Sequence, residues 1–142
     1  MKVRELMSRD VVCISPDEMA SVAARMLSRY NIGAMPVCED DGRLHGLITD
    51  RDIVLRCVAA EKEPAKTPVR EIMTSRIVSV EPDEDAEKAA ELMALEQVRR
   101  LPVAEQGRIV GVLSLGDLSV NRSLRMEASE CLSEICSNIK KR

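Results

Sequence analysis

An internal duplication constrains the possible folds of this chain more than any other sequence feature. A shift of 66 residues places Val3-Arg4-Glu5 on Val69-Arg70-Glu71, and Pro16-Asp17-Glu18 on Pro82-Asp83-Glu84. Further along, the shift becomes 65, because one residue is missing near Asp40-Asp41, where a tight turn tolerates the loss. The chain therefore contains two copies of a unit of about 60 residues.

Apolar runs and turn residues predict the order β-α-β-β-α in each copy. Ser15 is expected to cap the first helix, with Pro16 at its first position and Glu18 completing a capping box. The first copy has predicted strands over residues 11–14, 35–38 and 44–48, and helix starts at Ser15 and Thr49. The second has predicted strands over 77–80, 101–104 and 109–113, a helix over 82–96 and a helix start at Ser114.

The remainder of the chain predicts one more helix. Beyond residue 121, apolar side chains recur at helical spacing: Leu124, Ala128, Cys131, Leu132, Ile135, Cys136 and Ile139. We expect a first repeat over 1–62, a linker over 63–68, a second repeat over 69–121, and a C-terminal amphipathic helix with a basic tail over 122–142. The fold class is α/β in the α+β sense, and the two small sheets are expected to pack on each other because a 60-residue core is marginal.

Composition excludes several classes of function. Of the 142 residues, 45% are hydrophobic and 32% charged, and no apolar run approaches the roughly 18 residues of a membrane span. The N-terminus lacks the apolar core of a signal peptide, so we expect a soluble, cytoplasmic protein. A net charge of −3 and a single aromatic residue, Tyr30, argue against nucleic acid as a partner.

The paired segments of the two copies resemble a tandem pair of cystathionine-β-synthase-type (CBS) domains over residues 1–121. These segments are Met7-Ser8 and Met73-Thr74, residues 15–17 and 81–83, residues 32–37 and 98–103, and the Gly-x-x-Thr/Ser-x-x-Asp motifs that begin at Gly46 and Gly111. The resemblance implies a pseudo-twofold pair of repeats and pairing of two chains into a disc. It also implies a regulatory module that binds an adenosine derivative, such as AMP, ADP, ATP or S-adenosylmethionine, and acts on an unknown partner protein.

The resemblance further implies two ligand clefts. The motif aspartate would accept hydrogen bonds from both ribose hydroxyls, and the motif hydroxyl would contact the sugar or phosphate. Each cleft would combine the motif of one repeat with the first strand and the Leu-Pro-Val segment of the other. Carried onto this chain, the first cleft takes Thr49, Asp52, Ile77, Val78 and Leu101, and the second takes Ser114, Asp117, Val12, Cys13 and Met35.

Phosphate recognition needs cations, and three arginines are candidates. Arg99 and Arg100 precede the Leu-Pro-Val segment of the second repeat, and their side chains are expected to point in opposite directions on an extended segment, one toward each cleft. Arg51 lies inside the first motif, whereas Gly116 occupies its place in the second. The first cleft is therefore expected to be the more cationic, and to be the one that binds nucleotide if only one cleft does. Solvated surface arginines would look the same in sequence.

Several alternatives remain open from the residues themselves. The Thr/Ser-x-x-Asp spacing is also that of a capping box, which needs no ligand. A ligand-free scaffold for dimerisation would keep the same duplicated core. Cys13 and Cys38 could be neighbours, which would allow a redox bridge or, with His45, a zinc site.

Catalysis has no support in the sequence. It offers no nucleophile beside a base, no Walker or dinucleotide fingerprint, and a single histidine. We therefore expect a protein that is not an enzyme, with no catalytic residues, no metal ligands and no required cofactor.

Overall fold

The computed structural model describes residues 1–120 and 124–140, and residues 138–140 of these by their backbone alone. Two compact units are present. One comprises Val12–Ile77 and is called the 12–77 unit; the other combines Met1–Val11 with the described residues from Val78 onward and is called the terminal unit. Within the described residues, no helix has the length and apolar character that crossing a membrane requires.

The 12–77 unit contains one β-hairpin and several helical segments. In chain order these are α1 (Ala20–Tyr30), β1 (Ala34–Cys38), β2 (Leu44–Thr49), α2 (Asp50–Ile53), a π-helical turn (Val54–Val58), a 3-10 turn (Pro64–Lys66) and α3 (Val69–Ile72).

The terminal unit repeats this plan and adds a helix. Its elements are a 3-10 turn (Val3–Glu5), α4 (Ala86–Glu96), β3 (Arg100–Glu105), β4 (Arg108–Ser114), α5 (Leu115–Val120) and α6 (Arg125–Lys140). Two small sheets with helices around them confirm the predicted α+β class.

Both hairpins confirm the predicted second and third strands of each repeat. The strands pair antiparallel, with Pro36 opposite Leu47 in one hairpin and Pro102 opposite Val112 in the other. A register irregularity follows Val37 and recurs after Val103 at the equivalent place, so the duplication extends to the detail of the pairing.

The predicted first strands are wrong. Residues 11–14 and 77–80 form no regular strand; Ile14 makes a single parallel bridge with Val37, and Val80 makes the same bridge with Val103. Ile14 N–H donates to the Pro36 carbonyl at 3.0 Å. Proline has no N–H with which to extend the ladder, and Pro102 occupies the equivalent place beside Val80.

The predicted starts of the long helices are also wrong. Ser15 does not cap a helix, because α1 begins at Ala20. Instead, the Ser15 hydroxyl accepts the Asp17 amide at 3.2 Å within a turn. The helix over 82–96 likewise begins only at Ala86.

Competition for backbone carbonyls explains the late helix starts. The Pro16 carbonyl accepts the Arg70 amide at 3.0 Å, and the Glu18 carbonyl accepts the Val69 amide at 2.8 Å. In the terminal unit, the Pro82 carbonyl accepts the Arg4 amide at 2.9 Å. These bonds direct the three carbonyls toward amides of distant segments, and the helices begin only after them.

Each unit therefore contains the opening segment of the other repeat. Thr74, from the opening of the second repeat, pairs with Leu47 of β2, while Ser8, from the opening of the first, pairs with Val112 of β4. The boundaries of the sequence repeats and of the compact units therefore do not coincide: each opening segment belongs to one repeat and packs in the unit of the other.

Helix α6 confirms most of the predicted apolar face. Leu124 just before the helix, together with Ala128, Cys131 and Ile135, is buried in the core of the terminal unit. Leu132 and Cys136 are exposed in the single chain, and the prediction that this face packs on the body or on a second copy is not tested at these two residues. The predicted repeat end at Asn121, the side chain of Ile139 and the tail residues Lys141 and Arg142 lie outside the described residues.

Candidate functional site

Both Thr/Ser-x-x-Asp motifs form a capping box at a strand-to-helix junction. In the first, the Thr49 amide donates to Asp52 Oδ2 at 3.1 Å, and the Asp52 amide donates to Thr49 Oγ1 at 3.0 Å. In the second, the Ser114 amide donates to Asp117 Oδ2 at 2.8 Å, and the Asp117 amide donates to Ser114 Oγ at 3.1 Å. The capping alternative is thus confirmed in both copies, and it holds each carboxylate in a fixed position.

The glycine that opens each motif is required by close packing. A Cβ atom on Gly46 would lie 2.4 Å from the backbone oxygen of Thr74. One on Gly111 would lie 2.8 Å from the backbone oxygen of Ser8 and 2.7 Å from Met7 Sδ. The exchanged opening segments therefore explain why each motif begins with glycine.

The two aspartates differ in how far their carboxylates are already engaged. Asp52 is 6% exposed, and Thr74 Oγ1 donates to its carboxylate, lying 3.1 Å from Oδ1 and 3.2 Å from Oδ2. Asp117 is half-buried. Ser8, the counterpart of Thr74, accepts the Asp10 amide through its hydroxyl oxygen at 3.3 Å instead. On the described contacts, Asp117 is the more accessible carboxylate.

The hydroxyl groups of Thr49 and Ser114 can still donate a hydrogen bond. Thr49 Oγ1 and Ser114 Oγ accept a backbone N–H in their capping boxes, which uses oxygen lone pairs and leaves the hydroxyl hydrogen available. Each motif can therefore offer a fixed carboxylate acceptor and a hydroxyl donor three residues apart. A ribose diol beside a phosphate presents the complementary groups.

Among the three predicted arginines, Arg100 is paired across its hairpin with a residue of a Thr/Ser-x-x-Asp motif. Arg100 is the cross-strand partner of Ser114, whereas Ala34 holds the corresponding place opposite Thr49. Directly opposed residues have Cβ atoms about 5 Å apart, so an exposed arginine lies beside the second motif. Arg51 and Arg99 are exposed as well, and the Arg99 carbonyl accepts the Leu115 amide at 2.8 Å.

The other predicted ligand contacts vary in exposure. Met35 and Leu101 are fully buried in the cores of their own units, so their side chains serve packing. Val12, Cys13 and Val78 are half-buried, and Ile77 is exposed.

Sequence reasoning missed two residues next to Asp52. Thr74 is one, although the repeated Met-Ser/Thr opening was a usable signal. Arg56 is the other: its Nε lies 3.9 Å from Asp52 Oδ1, and its Nη1 donates to the Met73 carbonyl at 3.0 Å. These contacts surround the first carboxylate with donors.

The structure places Cys13 beside Cys38, as the redox-bridge hypothesis requires, but it does not support the zinc site with His45. Cys13 and Cys38 have their sulfur atoms 3.5 Å apart, while His45 Nε2 lies 2.7 Å from Glu39 Oε1. In the described part of the chain, no group of three or more His, Cys, Asp or Glu side chains is placed to hold a metal ion. A site made from Cys13, Cys38 and His45 therefore has no support.

Comparisons with known proteins agree on one family. The sequence profile described as CBS domain matches residues 3–58 and 69–121. The chain is 41% identical over 133 residues to the CBS domain-containing protein YhcV of Bacillus subtilis, and the match covers 94% of each. It is 35% identical over 116 residues to Hypoxic response protein 1 of Mycobacterium tuberculosis, covering 82% of this chain and 81% of the relative.

Solved structures extend the comparison to ligands. Hypoxic Response Protein I with two coordinated zinc ions matches with a TM-score of 0.78 at 34% identity, covering 85% of this chain and 98% of that chain. The CBS domain pair of protein MJ0100, in complex with 5-methylthioadenosine and S-adenosyl-L-methionine, matches with a TM-score of 0.72 at 26% identity, covering 84% of this chain and 94% of the other.

Proposed function

The chain belongs to the CBS domain family, and we propose that it is a non-catalytic regulatory module that binds an adenosine-type ligand, namely AMP, ADP, ATP or S-adenosylmethionine. Protein MJ0100, which this chain resembles in structure, holds two ligands of this class. The proposal extends to a cytoplasmic homodimer whose ligand changes the state of a partner protein.

One observation carries the proposal: the half-buried Asp117 is held by the Ser114 amide, and Ser114 lies opposite Arg100 in the hairpin. A carboxylate, a hydroxyl donor and a guanidinium are thereby gathered at one end of β4. These groups suit a ribose diol, its 5′ oxygen and a phosphate or carboxylate tail, respectively.

The contacts of the two aspartates favour the second motif as the ligand element, whereas the position of Arg51 favours the first. Asp52 is buried and already accepts from Thr49 and Thr74, so a ligand there would have to compete with protein donors. Asp117 has fewer such contacts in the described residues, and Arg100 lies opposite Ser114, its partner in the capping box. We therefore propose the Ser114–Asp117 element as the principal ligand element, with Thr49–Asp52 as the weaker one.

Thermal denaturation in the presence of each ligand tests the proposal. A ligand at a hundred times its dissociation constant stabilises the folded chain by about 2.7 kcal/mol, which gives a clear rise in Tm. We expect at least one of AMP, ADP, ATP and S-adenosylmethionine to raise Tm at millimolar concentration, and Asp117→Ala to abolish that rise.

Asp85→Ala is the matched control, because Asp85 caps α4 by accepting the Glu87 amide at 3.2 Å. It removes a helix cap of similar kind, so it should lower the basal Tm but keep the ligand-induced rise. Absence of any rise with all four ligands would contradict the proposal and favour the ligand-free scaffold.

A further inference from the structure

Cys13 and Cys38 are held as neighbours inside the 12–77 unit. Their sulfur atoms lie 3.5 Å apart, with the Cys38 thiol donating to Cys13 Sγ. Ile14, which follows Cys13, donates its amide to the Pro36 carbonyl at 3.0 Å, and the Cys38 amide donates to the Ile14 carbonyl at 2.9 Å. The bridge between Ile14 and Val37 thus fixes the two backbones that carry the thiols.

The two sulfur atoms are near enough for a disulfide to be considered. A sulfur–sulfur bond measures about 2.04 Å, so the two atoms, now 3.5 Å apart, need to approach by roughly 1.5 Å. Cys13 is half-buried, so a small oxidant can reach it, whereas Cys38 is only 6% exposed. The two thiols therefore have different roles available to them.

The hydrogen bond also shifts the pKa values of the two thiols in opposite directions. Donation by the Cys38 thiol lowers the pKa of Cys13, because it stabilises the Cys13 thiolate. The same hydrogen bond, together with burial, raises the pKa of Cys38. The accessible sulfur is thus the better nucleophile, and the protected one is placed to resolve a mixed disulfide.

We propose that Cys13 and Cys38 form a reversible intramolecular disulfide when the protein meets a low-molecular-weight disulfide such as glutathione disulfide. The Cys13 thiolate attacks one glutathione sulfur, forming a mixed disulfide and releasing one glutathione thiolate. Cys38 loses its proton to solvent and attacks Cys13 Sγ, releasing the second glutathione. The protein loses two electrons and two protons, and one glutathione disulfide becomes two glutathiones.

The bond would close a loop that contains helix α1. Cys13 and Cys38 are separated by 25 positions in sequence, and Ala20–Tyr30 lies between them. Closing such a loop restricts the unfolded chain more than the folded one, so the oxidised protein should unfold at a higher temperature than the reduced protein. The site is thus a thiol switch whose chemistry requires no bound nucleotide.

The test uses the full chain in buffer with a chelator, equilibrated against glutathione and glutathione disulfide at several ratios, then quenched and alkylated after denaturation. The chain has five cysteines. In the oxidising buffers, mass spectrometry should find two fewer alkylated cysteines in the monomeric chain and a linked pair of Cys13 and Cys38 peptides, and dithiothreitol should restore both thiols.

Two variants test whether Cys13 and Cys38, and not other cysteines, form the bond. Cys38→Ala should leave Cys13 carrying one glutathione, because the resolving thiol is gone. Cys136→Ser, at an exposed position on α6, should form the Cys13–Cys38 bond as the unaltered chain does. Full alkylation of the unaltered chain after oxidising incubation would overturn the proposal, and so would bonds that join other cysteines or two chains.

Discussion

The hydroxyl of Thr74 donates a hydrogen bond to the buried carboxylate of Asp52, with Oγ1 3.1 Å from Oδ1 and 3.2 Å from Oδ2. This contact joins the opening segment of the second repeat to the motif of the first. Among the described contacts, the equivalent Ser8 instead accepts the Asp10 amide through its hydroxyl oxygen at 3.3 Å. Two motifs that look alike in sequence thus have different surroundings.

Thr74→Val is expected to destabilise the protein by about 1–3 kcal/mol, because a hydrogen bond to a buried carboxylate is lost while the side-chain shape is kept. Urea denaturation measures the change. Ser8→Ala is the matched control, since Ser8 is exposed and its hydroxyl accepts only a long 3.3 Å bond from Asp10. Its effect should stay within about 0.5 kcal/mol, and equal losses for the two variants would contradict the stabilising role of Thr74.

Gly46→Ala is expected to destabilise the 12–77 unit strongly, by about 2 kcal/mol or more, because its Cβ would lie 2.4 Å from a Thr74 backbone atom that pairs with β2. Gly116→Ala is the contrasting change in α5. Its Cβ would meet only Ser114 Oγ at 3.6 Å, and alanine favours a helix by about 1 kcal/mol over glycine. A lower Tm for Gly116→Ala than for Gly46→Ala would contradict the claim that close packing requires glycine at position 46.

Arg100→Gln is expected to weaken ATP binding about tenfold while leaving adenosine binding nearly unchanged, because only the charged tail would meet the guanidinium. Isothermal titration calorimetry with the two ligands measures the difference. Arg51→Gln is the control at the first motif and should change ATP affinity less. If Arg51→Gln has the larger effect, the principal element is Thr49–Asp52 and the ranking based on Arg100 is wrong.

Cys13 is expected to react with iodoacetamide at lower pH than Cys131. Donation by the Cys38 thiol lowers the pKa of Cys13 below its ordinary value of 9.0, so its thiolate persists as the pH falls toward neutrality. Burial, with the nearby Glu134 charge, raises the pKa of Cys131, which delays its thiolate to higher pH. Alkylation rates from pH 6 to 10, read by peptide mass spectrometry, check the order.

Cys38→Ala removes the donor to Cys13 and should move the Cys13 rate profile back toward higher pH. An unchanged profile in this variant would show that the hydrogen bond is not the cause of the lowered pKa.

Local sequence signals predicted the parts of the fold that depend on neighbouring residues. The two hairpins were predicted from the apolar runs on either side of Gly42 and Gly107, and both glycines stand at turns with positive φ, 88° and 79°. Helix α1 ends at Asn31, which adopts the left-handed conformation that asparagine tolerates at a helix end. Thr49 and Ser114 were predicted as helix starts, and their side chains do cap the helices that follow.

Predictions failed where a distant segment competed for the backbone. Ser15-Pro16-Asp17-Glu18 has the residues of a helix start, yet Val69 and Arg70 donate to its carbonyls and delay the helix to Ala20. The spacing of Thr49 and Asp52 could not reveal that Thr74 also binds the carboxylate, because Thr74 is 22 residues from Asp52 in sequence. The proximity of Cys13 and Cys38 was foreseen only as a possibility for the same reason.

The sequence by itself determined the duplication, the hairpins, the capping boxes and most of the buried face of α6, because periodicity, turn residues and side-chain caps act over a few positions. Only the tertiary structure decided that each repeat's opening segment packs in the other repeat's unit, and that this leaves Asp52 enclosed and Asp117 accessible. The physical reason is that hydrogen bonds from Thr74 and the close approach at Gly46 join residues far apart in the chain, which no local pattern encodes.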